Sequence, residues 1–229
     1  MLVSVKTPAE AAIVAAADGV TVVDVKDPSQ GALGFAGAQI INDIALQIAL
    51  EEKLLSVALG ELGEIDFDEV SRIDWGHVDF VKVGLNGFYK NPCWRSELQV
   101  ALVNVPTCVR RVLVLYVDQI DASRSSGMIQ DADDAGLSVV LLDTFDKSLG
   151  NTFAHWTDDS VRGVFESASG LSLTTVLAGS IGLADLPRAF RTGADLIGVR
   201  GAVCNGNRSG RLSQQRLDRL LAAYHDVRI

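Results

Sequence analysis

What the chain has little of narrows its character first. Aromatic residues make up 6% of its 229 residues, so a core drawn from 48% apolar residues must be mainly aliphatic. The cysteines, Cys93, Cys108 and Cys204, are few, scattered and odd in number. They supply neither a disulfide framework nor a zinc site, and they suit a reducing interior. No apolar run reaches ~18 residues and no charged-then-apolar leader opens the chain, so neither a membrane span nor export is expected and the expected location is cytoplasmic. Cations are the scarcer charge: 20 Lys and Arg against 29 Asp and Glu give a formal net charge of -9. That balance argues against nucleic acid or an anionic membrane as a partner, while leaving room for a local phosphate site. No Gly-x-Gly-x-x-Gly string opens the chain, which removes the usual dinucleotide fingerprint, and no other cofactor is expected. His77, His155 and His225 lack metal-ligand spacing, so no metal is expected.

What is present is one pattern, repeated. Short β-branched runs alternate with longer stretches of helical period, the signature of parallel strands joined by crossover helices. The strand-like runs are LVSV (2–5), TVVDVK (21–26), KLLSVAL (53–59), DFVKVGL (79–85), RVLVLYV (111–117), SVVLLDT (138–144), TTVLAGS (174–180) and LIGVRG (196–201). Helical stretches cover 9–18, 38–48, 67–75, 94–105, 125–136, 158–169, 184–192 and 213–227. An even count that ends on a helix predicts an α/β fold, a single (β/α)₈ TIM barrel over 1–229, in preference to an open doubly wound sheet. No Gly/Ser linker or low-complexity tract divides it. The apolar faces of the outer helices suit a homo-oligomer without specifying one.

In such barrels the chemistry sits where strands end. Asp24 and Lys26 alternate with Val23 and Val25, so the two charged side chains share one strand face. Lys82 lies between valines that face the other way, and Asp143 ends the sixth strand with Lys147 four residues on. Strands covered on both faces rarely carry charge, because an ammonium without a partner is costly to desolvate. Ends two, four and six can converge on one volume, where clustered cations depress one another's pKa and yield an amine able to attack a carbonyl. Lys6, Lys53 and Lys90 lack that setting and read as surface residues. Small residues just past strands seven and eight, Gly179, Ser180, Gly201 and Ala202, leave backbone N–H groups open to a phosphate, with Arg200 as a cationic contact. Arg208 and Arg211 follow in a Gly/Asn-rich loop that either folds over an anion or caps the last helix. Glu61 after strand three, a loop-borne His155 and Cys204 as a small filler are read first as outside the chemistry.

Taken in order, DVKDPSQGALG (24–34), FVKVGLNG (80–87), LLDTFDK (141–147), LAGSI (177–181) and GVRGAVCNGNRSGR (198–211) form a specific set. The chain resembles the (5-formylfuran-3-yl)methyl phosphate synthase family, which serves methanofuran or methylofuran biosynthesis, over nearly its whole length. The resemblance implies condensation of two molecules of a triose phosphate partner, glyceraldehyde 3-phosphate, with loss of phosphate and water through a lysine Schiff base. It places catalytic lysines at Lys26, Lys82 and Lys147 and catalytic aspartates at Asp24 and Asp143. After the fifth strand the family has a Gly-Tyr-Ala-Asp-like stretch where this chain reads DQIDAS: Asp121 falls at the acidic place and the tyrosine has no counterpart. From the residues alone, the same mouth also suits a class I aldolase or a sugar phosphate isomerase and, more distantly, a non-catalytic barrel that binds a phosphorylated metabolite.

Overall fold

The apolar alternation of each short run becomes the in-and-out pleat of a closed barrel. A computed structural model describes residues 1–228; Ile229, the last residue of the expected domain, lies outside them. In chain order the elements are β1 (Leu2–Val5), α1 (Pro8–Ala15), β2 (Val22–Val25), α2 (Ala38–Ile48), β3 (Leu54–Glu61), α3 (Phe67–Val70), β4 (Phe80–Gly84), α4 (Trp94–Ala101), β5 (Arg110–Tyr116), α5 (Ala122–Asp134), β6 (Val139–Asp143), α6 (Thr152–His155), α7 (Asp158–Gly170), β7 (Thr174–Leu177), α8 (Leu186–Phe190), β8 (Leu196–Val199) and α9 (Gln214–Arg228). The strands pair in sequence order, all parallel, and β8 closes on β1 through Gly198–Leu2 and Val199–Val3. This is the expected (β/α)₈ barrel, with α6 as an extra turn of helix in the loop after β6.

Two cores follow from the pleat. Val23, Val25, Val81 and Val83 point outward and are buried under the helices. Their alternates Val22, Ala58, Val112, Val114, Leu141 and Val176 fill the barrel interior. Each large aliphatic side chain so buried contributes about 1.5–3 kcal/mol, which is how a chain poor in aromatics holds together. Asp24, Lys26 and Lys82 share the inward phase with the second set, so the closed barrel carries their charge into its interior, where all three are buried.

Four helices, α1, α3, α4 and α8, are shorter than their periodicity predicts, α3 and α8 most in proportion. The stretch 67–75 yields only the single turn of α3, because Asn42 on α2 takes the Arg72 carbonyl at 2.9 Å and receives the Asp74 N–H at 2.8 Å. Those bonds pull the segment away from the helical ladder. The stretch 184–192 opens as a 3₁₀ turn, Leu183–Asp185, before α8, where Pro187 has no N–H to extend a ladder backwards. Among the described residues no helix is long and apolar enough to cross a membrane.

Candidate active site

Asp24, Lys26, Lys82, Asp143 and Lys147 line one cavity of about 300 Å³ at the strand ends, with Gly179, Ser180, Arg200, Gly201 and Ala202 along its β7–β8 side. Register explains the convergence. Asp24 lies level with Ser4 of β1 and Ser56 of β3, and Lys82 with Ala58. Lys82 therefore stands two residues further along its strand than the level of Asp24, a stagger that the tilt of barrel strands offsets, so the inward side chains of β1, β2 and β4 meet.

The lysines differ in their partners. Lys82, 1% exposed, donates to Asp24, whose other oxygen accepts from the Ser4 hydroxyl at 2.8 Å. Burial pushes the Asp24 carboxyl up, but the charges of Lys82 and Lys26 and these hydrogen bonds hold it below the usual range. Lys147 donates to Asp143, to the Thr144 carbonyl and, at 3.1 Å, to the Thr144 hydroxyl. Burial likewise raises Asp143, and Lys147, Lys26 and the Thr144 N–H more than reverse it. The Lys26 ammonium has no hydrogen-bond partner among the described residues and stands 3.9 Å from Asp143. Burial is the main cause that brings Lys26 down to about 8; Asp143 and Asp24 oppose the shift, and Lys82 and Lys147 reinforce it. Asp24 thus pairs with Lys82 and leaves the Lys26 ammonium without a hydrogen-bonded carboxylate.

Lys147 reaches the cavity because its loop is held. Asp118, just past β5, accepts the Phe145 and Asp146 N–H groups at 2.7 and 2.8 Å. Asp146 then accepts the Ser148 N–H at 2.9 Å and opens the 3₁₀ turn Lys147–Leu149. The opposite wall is a backbone surface. Among the described residues the N–H groups of Gly179, Ser180, Gly201 and Ala202 donate to no protein acceptor. Gly179 is there because φ is +86° and a Cβ would lie 2.2 Å from the Thr152 hydroxyl. Ser180 accepts a left-handed φ of 58°, a strain of the kind that gathers at ligand sites.

Arg200 departs from its expected role. Its Nε donates to the Arg208 carbonyl, Nη1 to the Ser4 carbonyl and Glu10, and Nη2 to Glu10 and the Gly210 carbonyl. A guanidinium has five N–H donors, and all are engaged, so its side chain has none left for a phosphate. The sequence hid this because Glu10 reads as an ordinary acid in the first turn of α1. Burial raises the Glu10 carboxyl, but Arg200 and the Lys6 and Leu212 N–H groups outweigh it and hold the pKa low.

Apart from Arg208, which lines the cavity, the remaining candidates fall outside it. Glu61 accepts from the Tyr116 hydroxyl at 2.7 Å and the Asn86 N–H at 3.0 Å, behind the Tyr116 ring. Burial pushes its carboxyl up. Asp121 is exposed at the start of α5, and the aromatic that faces the barrel beside Asp143 is Tyr116, at the end of β5 itself. His155, expected on a loop, is half-buried on α6 with its Nε2 unpartnered among the described residues. His77 precedes β4 and Cys204 is a buried filler. Lys6 and Lys53, expected at the surface, are tied to backbone carbonyls, Lys6 to Ser209 at 2.6 Å and Lys53 to Val20 at 3.0 Å. Ser4 escaped sequence reasoning, although a lone hydroxyl in an apolar strand was a signal. Among the described residues no cluster of His, Cys, Asp or Glu suits a metal ion.

The backbone wall makes a testable demand. At Gly201 the nearest atom to an added Cβ is Arg208 Cβ at 3.9 Å, and φ is not left-handed. Gly201→Val is therefore expected to fold with an unchanged melting temperature while weakening binding of inorganic phosphate about tenfold, since the branched side chain covers the N–H groups. Titration calorimetry checks it; unchanged affinity would leave the glycine a turn residue only.

Residues 1–221 match the family described as 4-HFC-P synthase. The chain is 31% identical over 229 residues to (5-formylfuran-3-yl)methyl phosphate synthase of Methanococcus maripaludis, covering 93% of this chain and 94% of that one. It is 31% identical over 221 residues to the protein of that name in Methanocaldococcus jannaschii, covering 90% of each. Among solved structures, thiamine phosphate pyrophosphorylase from Pyrococcus furiosus superposes with a TM-score of 0.64 at 16% identity, over 99% of this chain and 95% of that one. A 3-hexulose-6-phosphate synthase gives 0.60 at 15% identity, over 97% of this chain and 98% of that one. These last two likenesses concern the fold alone.

Proposed function

Because the chain belongs to the 4-HFC-P synthase family, we propose that it is a carbon–oxygen lyase that joins two molecules of glyceraldehyde 3-phosphate into (5-formylfuran-3-yl)methyl phosphate, through an imine on Lys26. The observation that carries the covalent step is the state of Lys26: buried in the cavity, its ammonium without a hydrogen-bond partner among the described residues, its pKa lowered to about 8. At pH 7 about a tenth of such an amine is neutral, against roughly one part in three thousand for an ordinary lysine.

The chemistry follows from the product's skeleton. The amine attacks the aldehyde of one triose and water leaves, giving an iminium that acidifies C2. A carboxylate removes the C2 proton, the C3–O bond breaks, inorganic phosphate departs, and C3 becomes the nucleophilic end of an enol. The furan joins that carbon to C2 of the second triose, so the second molecule must first become its 2-keto isomer by a C2-to-C1 proton shift. Carbon–carbon bond formation, ring closure by the remaining C1 hydroxyl, loss of two waters and hydrolysis of the imine complete the reaction. The balance is one furan, one phosphate and two waters from two trioses, with no oxidant or reductant. Asp24 and Asp143 are the groups to move protons, and Lys82 and Lys147 the cations to steady developing oxyanions.

Incubation with glyceraldehyde 3-phosphate as sole substrate should yield an ultraviolet-absorbing product of the furan's mass and one inorganic phosphate per furan. Triose interconversion or simple aldol products without a furan would reject the reaction and favour an isomerase or aldolase.

A further inference from the structure

Arg208 differs from the other cations at the mouth. Lys82 and Lys147 donate to aspartates, Lys26 stands 3.9 Å from one, and Arg200 is paired with Glu10. Arg208 is half-buried, lines the cavity and has no carboxylate within ion-pair distance among the described residues. Its Nη2 donates to the carbonyls of Gly31 at 2.8 Å and Ala32 at 3.4 Å, so the side chain stretches from the loop after β8 to the loop after β2. Its Nε and Nη1 carry N–H groups with no protein acceptor among the described residues.

A guanidinium partly withdrawn from water without a counter-ion carries a cost that an anionic ligand removes. The loop beneath it is held in place. Arg200 donates to the Arg208 carbonyl at 2.9 Å and the Gly210 carbonyl at 3.0 Å, and Lys6 donates to the Ser209 carbonyl at 2.6 Å. The stem rises over the phosphate-facing turn, with Arg208 Cβ 3.9 Å from where a Cβ on Gly201 would be. Charge agrees: the three lysines against two aspartates leave one net positive charge, and Arg208 makes two, matching a phosphate dianion.

We propose that Arg208 is the side chain that closes the phosphate site, holding the phosphoryl oxygens of a triose-sized phosphomonoester from the β2 side while the N–H groups of Gly179, Ser180, Gly201 and Ala202 face them from the other. It takes the part that sequence reasoning gave to Arg200, and Arg200 acts through the backbone as the residue that positions it. The inference rests on the reading that this cavity receives a phosphorylated substrate, but its test does not require turnover.

Titration calorimetry of the full chain with inorganic phosphate should show affinity about thirtyfold weaker in Arg208→Gln, the effect of losing a charge-assisted fork. Arg208→Lys should recover part of it, since an ammonium restores the charge without the fork. An unchanged affinity in Arg208→Gln overturns the proposal and leaves the side chain a strap between loops. A second measurement covers a variant that fails to fold. In the unaltered protein, phosphate should slow phenylglyoxal modification of Arg208 about tenfold, on the same footing, and leave the exposed Arg95 unaffected, as read by peptide mass. Equal rates at Arg208 with and without phosphate also overturn it. Failure to form a furan would reject the reaction proposed above and leave this phosphate clamp standing. Furan formation with unchanged phosphate affinity would do the reverse.

Discussion

Lys26→Arg is expected to abolish furan formation, by on the order of 10⁴-fold or more, the scale on which removal of a covalent nucleophile is felt. The substitution keeps a positive charge between Asp143 and Asp24 but removes the amine that forms the imine. Borohydride added during turnover should fix a stable adduct on the peptide containing Lys26 in the parent and none in the variant. The pH dependence follows from the same residue. The reactive form is the deprotonated amine, and its pKa lies at about 8, so adduct formation should rise tenfold per pH unit below that value and level off above it. A profile still rising steeply beyond pH 9 would mean that Lys26 titrates as an ordinary lysine. An adduct on Lys82 or Lys147 instead would keep the family chemistry and reassign the nucleophile.

Arg200→Met should destabilise the fold by about 3–5 kcal/mol, because it strands the Glu10 carboxylate in a buried site. For a chain of this size that lowers the melting temperature by about 10 °C or more. The sign of the pH effect distinguishes this cause from lost packing. In the parent, Glu10 has a lowered pKa, so its contribution is present above the unfolded pKa and is lost as pH falls through the folded one. In the variant, burial acts on Glu10 without its partner and raises the pKa, so the deficit should shrink as pH is lowered toward 5 and Glu10 takes up a proton. The double variant Arg200→Met/Glu10→Leu should recover most of the loss. Calorimetric unfolding at the two pH values reads all three. A deficit below about 1 kcal/mol at pH 7 would mean that Glu10 finds water once Arg200 is gone.

The pattern of the barrel was legible because it is local. Period-two alternation in VVDVK and FVKVG sets which side chains of a strand share a face, whatever the strand later pairs with. That phase alone carried Asp24, Lys26 and Lys82 into the interior, and glycines at 179 and 201 marked the backbone wall by the same local logic. Periodicity misled where a distant side chain competed for the backbone: Asn42 unwinds the segment after α3 from about thirty residues away.

What no local pattern determined is who pairs with whom. Asp24 meets Lys82 across a separation of 58 residues, and Glu10 meets Arg200 across 190. The second contact exists only because β8 closes on β1, and the first because the curved, staggered sheet turns the inward faces of β2 and β4 toward each other across β3. Before closure, the three lysines and two aspartates are interchangeable, and Arg200 and Arg208 are two arginines of one loop region. After it, burial and the supply of carboxylates separate them. Lys82 and Lys147 are neutralised by partners, Lys26 is left close to losing its proton, Arg200 is sealed against Glu10, and Arg208 is left facing the cavity without a counter-ion. The sequence determined the barrel and the residues at its mouth; the division of charge among them belongs to the tertiary structure, because pKa and pairing depend on distances that only chain closure sets.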